Sequence, residues 1–214
     1  MRLVAFGCSY TYGLGLEDCF TPPAASGPVP SKFAWPQLVA NELNMDCINI
    51  SRPGSSNKEI LNTLLNFKFE STDVVIVMWA YITRWCILND DTSVSRIAWP
   101  DMQKNYDLAM QYGKIFTLED LQLDFIYRAN FAKLFLDNKN LTNYHLSSAP
   151  IECCPKILPV WNTVSISEID MTYISQFVPR ALDAHVGYIG HPGPEAHQIV
   201  ATRLVKEMFD AHNK

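Results

Sequence analysis

A serine near the start of the chain and a histidine near its end carry the chemistry this sequence can be read for. Ser9 lies in Gly7-Cys8-Ser9-Tyr10-Thr11-Tyr12-Gly13, directly after the apolar run Leu3–Phe6. An apolar run ending at glycine reads as a strand followed by a turn. A serine at a strand-to-helix turn has an exposed hydroxyl with backbone amides close by, which suits nucleophilic attack on a carbonyl. His191 lies in His191-Pro192-Gly193-Pro194, just before the last helical stretch. A histidine in that place can be held against a serine as its general base. Two further segments leave apolar runs: Ser51-Arg52-Pro53-Gly54-Ser55-Ser56-Asn57, and Met78-Trp79-Ala80-Tyr81-Ile82-Thr83-Arg84. In open α/β sheets ligands bind beyond the carboxyl ends of the strands, where these segments would gather.

The elements that must position them are legible in part. Leu3–Phe6 and Cys47–Ile50 read as strands, and Asn143–Ser148 as a further one. Asp73–Met78 is nearly continuous and β-branched, like a central strand buried on both faces. Lys32–Asn44 carries a helical face of Trp35, Leu38, Val39 and Leu43. Ser56 and Glu59 form a capping-box pattern that opens a helix with Ile60, Leu61, Leu64 and Leu65 on one side. Leu118–Leu136 is helically periodic, and Pro194 starts a final helix running to about Ala211. On that helix His197 shares a face with Val200, Leu204 and Met208, so a buried structural histidine is expected, the alternative being support for His191. Strands alternating with helices predict one domain, a flavodoxin-like three-layer α/β/α sandwich of about five mostly parallel strands. Residues 18–31, with four prolines, read as a surface loop, and residues 86–117 as an insertion.

Composition narrows the function classes. The chain has 214 residues and a net charge of −5 with no block of like charges, which disfavours nucleic acid as partner. The longest apolar run, Val74–Tyr81, is too short to span a bilayer, so no membrane is expected. The N-terminus has neither a useful h-region nor a small-residue cleavage site and reads as a strand, not a signal peptide. Six cysteines form no CxxC pair and the histidine spacing fits no zinc template. Acyl transfer through a serine would proceed without metal or organic cofactor, so none is expected. Reduced thiols and a cytoplasmic location follow as defaults.

The four segments, in this order and spacing, resemble the blocks of the SGNH (GDSL-like) hydrolase superfamily. Gly7-Cys8-Ser9 with Gly13 resembles the first block, Gly54 the second-block glycine, and His191-Pro192 the histidine of the last block. The Gly-Cys-Ser start is similar to phage-encoded and marine bacterial members. The resemblance implies Ser9 as nucleophile, His191 as base, and the amides of Ser9 and Gly54 as oxyanion donors, with Asn57, Tyr81 and Arg84 around the substrate. Three positions depart from the pattern. Cys8 replaces the family's aspartate before the serine. No asparagine occurs in Trp79–Trp85, so Tyr81 or Arg84 would supply the third-block donor, and Arg84 would also attract an anionic group. Tyr188 stands where the triad aspartate should be, leaving a Ser9–His191 dyad or an acid elsewhere: Asp183 upstream, or Glu195 downstream. Cys8 itself is expected to pack under the strand end. The resemblance thus implies a serine esterase acting through an acyl-Ser9 intermediate on a small ester or an O-acylated, for example acetylated, carbohydrate. The alternative is an impaired member that only binds a carbohydrate or acyl ligand.

Overall fold

Six consecutive apolar residues, Val74–Trp79, are all buried and form the middle strand of the sheet. The computed structural model describes residues 1–19, 29–82, 84–88, 94–97, 116–147, 166–168 and 191–212. The strands are β1 (Arg2–Phe6), β2 (Asp46–Asn49), β3 (Val74–Trp79), β4 (Trp85–Leu88), β5 (Val94–Ile97), β6 (Thr142–Ser147) and β7 (Ile166–Glu168). The helices are α1 (Ser9–Tyr12), α2 (Trp35–Glu42), α3 (Asn57–Leu65), α4 (Leu118–Asp137) and α5 (Pro194–His212).

Five strands join in the order β2-β1-β3-β6-β7, and every pair is parallel. This is the flavodoxin-like order that the alternation of strands and helices predicts. From β1 the chain moves to one side to make β2; it then passes back over β1 to make β3. Right-handed crossovers in opposite directions place α2 and α3 on opposite faces of the sheet. Accordingly α2 packs against α5, and α3 against α4. The reversal leaves a crevice at the carboxyl ends of β1 and β3, where the connections diverge.

Both ends of the sheet's centre are tied by polar contacts. At the amino ends of β1 and β3, Arg2 donates from Nε and Nη2 to the two carboxylate oxygens of Asp73, at 2.8 and 2.7 Å. Toward the carboxyl ends, the Trp79 indole N–H donates to His145 Nδ1 at 3.1 Å. That fixes the proton on His145 Nε2, which reaches Asn143 Oδ1 at 3.2 Å; the Asn143 amide in turn donates to Asp137 at the end of α4. Burial, with Lys133 adding to it, pushes His145 down to about 4, so the ring is neutral.

The elements depart from the sequence reading at specific points. The α2 helix starts at Trp35, after Lys32 and Phe33, with Pro36 in its first turn. The fifth strand of the sheet is Ile166–Glu168, a segment the sequence did not single out. Residues 86–117 were read as an insertion; the part described is the antiparallel hairpin β4–β5, paired outside the main sheet. Among the described residues no helix is long and apolar enough to cross a membrane.

Candidate functional site

The site is built on a turn with no room for a side chain at its start. A Cβ on Gly7 would lie 2.0 Å from Thr11 Oγ1, 2.6 Å from Thr11 Cβ and 3.2 Å from the Met78 carbonyl oxygen of β3. The chain therefore turns from β1 directly into α1 while pressed against β3. We expect Gly7→Ala to lower stability by about 3 kcal/mol, the upper range for overpacking a rigid site. A thermal midpoint lower by roughly 6–12 °C in calorimetry would register it. An unchanged midpoint would mean that the turn relaxes freely.

The single turn of α1 is closed by backbone bonds. The amides of Thr11 and Tyr12 donate to the Cys8 carbonyl at 3.1 and 2.9 Å. Gly13 ends the turn in the left-handed region, φ 79°, and its N–H returns to the Ser9 carbonyl at 3.0 Å. Ser9 is thus the first residue of a fixed turn beyond β1, with 2% of its surface accessible. Cys8 is fully buried beneath it, packed under the strand end as its sequence position suggests.

Two asparagine amides lock the segments together, one joining the second to the first and the other joining the second to the third. Asn49, at the end of β2, donates to the Thr11 carbonyl at 2.7 Å and accepts from the Ser51 amide at 3.1 Å and from the Ser51 hydroxyl. The Arg52 amide reaches the Gly7 carbonyl at 3.3 Å, and Gly54 turns the loop with φ 78°. Asn57, the first residue of α3, donates to the Ala80 carbonyl at 3.1 Å and accepts from the Ala80 amide at 2.8 Å. Asn57 was expected around the substrate. Its buried amide fastens the end of β3 to α3, and the residue also lines the cavity described below. Asn49 was not singled out from sequence. A polar amide closing an otherwise mixed strand was the only signal available.

Four side chains then form a row across the crevice. The His191 ring meets Tyr10 edge-on, with centroids 5.7 Å apart and planes at 86°. The Tyr10 hydroxyl lies 3.3 Å from the Tyr81 hydroxyl. The Arg84 guanidinium lies over the Tyr81 ring, 5.4 Å from its centroid, and the Arg84 amide donates to the Tyr81 carbonyl at 3.0 Å. Burial first, and then the neighbouring Tyr81, push the Tyr10 phenol well above its ordinary range, so it stays protonated. The row brings His191 to the residue next to Ser9. Among the described residues no hydrogen bond connects the Ser9 hydroxyl to the His191 ring.

The acid expected behind the base is not part of this picture. Asp183 and Tyr188 lie outside the described residues, and Glu195 is exposed at the first turn of α5. His197 is completely buried, as its apolar helical face implies, and its Nδ1 accepts from the Trp35 amide at 3.1 Å. Burial, with a smaller effect from His191, pushes it down to about 3.

Beside this row, and not over Ser9, opens a cavity of about 520 Å³ between the first turn of α3, the residues Ile82, Arg84 and Trp85, and the first half of α4. Its walls include Asn57, Lys58, Arg84, Trp85, Phe116 and Tyr127.

No family model matches the chain, and no curated protein matches it in sequence. Solved structures do match. One is a carbohydrate esterase whose active site displays divergent catalytic and non-catalytic binding functions: 14% identity, TM-score 0.58, covering 97% of this chain and 67% of that one. Another is a family two carbohydrate esterase from Clostridium thermocellum in complex with cellohexaose: 14% identity, TM-score 0.55, covering 99% of this chain and 64% of that one. A third is the lipase/acylhydrolase from Enterococcus faecalis: 14% identity, TM-score 0.50, covering 97% and 94%. The chain thus spans about two thirds of the length of the carbohydrate esterases it matches. Strand order, the turn after β1, the histidine before the last helix and these matches agree: the chain has the α/β/α fold of the SGNH hydrolases.

Proposed function

We propose that the protein is a serine esterase that removes an O-acyl group, such as acetyl, from a carbohydrate. The observation that carries this reading is the junction of two features. Ser9 heads a rigid turn in the crevice between β1 and β3, and the His191 ring packs against the adjoining Tyr10. Carbohydrate esterases among the structural neighbours support the substrate class.

In this mechanism Ser9 Oγ attacks the ester carbonyl while His191 takes its proton. The oxyanion is met by the amides of Ser9 and Gly54, and Tyr81 donates in place of the missing asparagine. The alcohol leaves with the proton held on His191. Water, deprotonated by the same ring, then releases the acid from acyl-Ser9. The Ser9–His191 hydrogen bond forms as substrate binds, since catalytic hydrogen bonds commonly tighten only in the complex. The reaction needs no metal or organic cofactor.

A fluorophosphonate probe tests the reading. Labelling that peptide mapping places on Ser9, together with hydrolysis of p-nitrophenyl acetate, is expected. A protein that is neither labelled nor active overturns it.

The absent hydrogen bond between Ser9 and His191 favours a second reading, a module that retains the fold and binds a saccharide without cleaving it. It predicts saccharide binding that survives Ser9→Ala in a protein with no esterase activity.

A further inference from the structure

We infer that the cavity beside the Tyr81–Arg84 pair holds a carboxylate of the substrate, so that the saccharide is an acidic one of the uronic acid class. This deepens the esterase reading and, for catalysis, rests on it; the anion site itself is a separate property of the cavity.

The argument starts from the charges on the cavity wall. Arg128 is neutralised in place: its Nε and Nη2 donate to the two Asp124 oxygens, both at 2.7 Å. Asp120 is engaged by the Thr117 amide and hydroxyl at the start of α4, at 2.9 and 2.8 Å. Two cations remain with no carboxylate partner among the described residues, Lys58 and Arg84. Arg84 is the more telling. Its Nη1 is shielded from solvent yet donates no hydrogen bond. Buried donors are normally satisfied, and a shielded guanidinium N–H beside an open cavity is an orphan whose acceptor is expected to arrive with a ligand.

The guanidinium is also held ready. Its plane is supported by the Tyr81 ring, and the backbone bond from Arg84 to Tyr81 fixes the turn that carries it. A planar fork of donors matches a carboxylate in two-pronged fashion, and Lys58, on the first turn of α3, adds a second positive charge to the cavity lining. The apolar and aromatic remainder of the wall, Trp85, Phe116 and Tyr127, offers flat surface for the sugar ring that bears the acid. Position follows from the row of rings: Arg84 lies over Tyr81, whose hydroxyl meets Tyr10 beside Ser9. An acid in the cavity would therefore lie at the Arg84 end of the row that leads through Tyr81 and Tyr10 to Ser9.

The test measures binding and turnover on the full chain. Calorimetric titration compares sodium D-glucuronate with D-glucose, and kinetics compare acetylated glucuronate with acetylated glucose. Wild type is expected to prefer the acid by about tenfold or more in both, the scale of one charge-assisted hydrogen-bonded pair. Added salt should erode the preference. Arg84→Gln is expected to abolish it, and Lys58→Gln, at the cavity edge, to weaken it should Arg84→Gln fail to fold. Equal affinity for both sugars, or a preference that persists in both variants, overturns the anion site. The two readings fail separately. Acid-selective binding without hydrolysis of any ester removes the esterase and leaves the anion site. Hydrolysis without acid preference does the reverse.

Discussion

Ser9→Ala is expected to lower hydrolysis of short-chain esters by about 10³-fold or more, with little change in thermal stability. The size follows from the role proposed for the hydroxyl, which forms the covalent acyl intermediate. The residual rate should reflect the amides of the oxyanion site, which in serine hydrolases keep about 10³-fold over water after the nucleophile is gone. The lack of a stability effect follows from how α1 is held. Its turn is closed by the Cys8 carbonyl, the Ser9 carbonyl and Gly13, all backbone groups, while the Asn49 amide clamps Thr11 from outside. The Ser9 Oγ takes no part in any of these bonds, and alanine is the better helix former. His191→Ala should cost a similar factor, and the double variant should be no slower than either single one, because nucleophile and base act as a unit. Steady-state kinetics with p-nitrophenyl acetate, run alongside calorimetry, separates the two effects. A Ser9→Ala protein as active as wild type would place the chemistry elsewhere. Loss of activity together with a collapsed midpoint would mean that the hydroxyl is structural.

How much of this was legible depends on where each signal resides. The parallel core could be read because buried parallel strands are continuous apolar runs: Val74–Trp79 is buried along its whole length, as its composition demands. The turn at Ser9 could be read because Gly7 and Gly13 punctuate it, and the contacts a Cβ on Gly7 would make show that the first of these is a steric necessity. The backbone clamp made by Asn57 was not legible, for an equally physical reason. An asparagine after a turn looks alike whether or not its amide also holds a neighbouring backbone, and only the fold brings Ala80 to it. The hairpin β4–β5 escaped because two four-residue strands are too short to show a period. The strand Ile166–Glu168, three residues long, offered still less. Of the row His191–Tyr10–Tyr81–Arg84, three members were legible as site residues, but Tyr10 and the contacts that join the four were not. The row joins residues over 100 positions apart, and no local pattern encodes which aromatic ring will meet which histidine.

The second large effect is an acid sensitivity built into the core by two buried histidines, His145 and His197. His145 is held neutral by burial between β3 and the end of α4, at about 4, and His197 by burial between α2 and α5, at about 3. In the unfolded chain both return to about 6.5. Both native values lie below the unfolded one, so the unfolded state binds more protons as the pH falls. The neutral-ring contribution is fully present above about pH 6.5 and is lost progressively toward pH 4. Each histidine costs about 1.4 kcal/mol per pH unit inside that window, so the pair should cost about 4 kcal/mol between pH 7 and pH 5. That is a large part of the total stability of an ordinary domain. Charges nearby modulate the effect without reversing it: Lys133 pushes His145 further down, Asp137 pulls it up, and His191 pushes His197 down. The carboxylate of Asp73, held below its usual range against the opposing effect of burial by its bonds to Arg2, resists protonation and adds its own loss only at lower pH. Urea unfolding at a series of pH values measures the slope directly. His197→Asn separates the two contributions, since an asparagine Oδ1 can stand in for Nδ1 and keep the bond from the Trp35 amide. The slope should fall to about half in that variant, with stability at pH 7 lower only by the cost of the smaller side chain. A stability independent of pH between 7 and 5 in the wild type would show that the two rings are already protonated in the fold or reached by water, and that the core does not exclude charge.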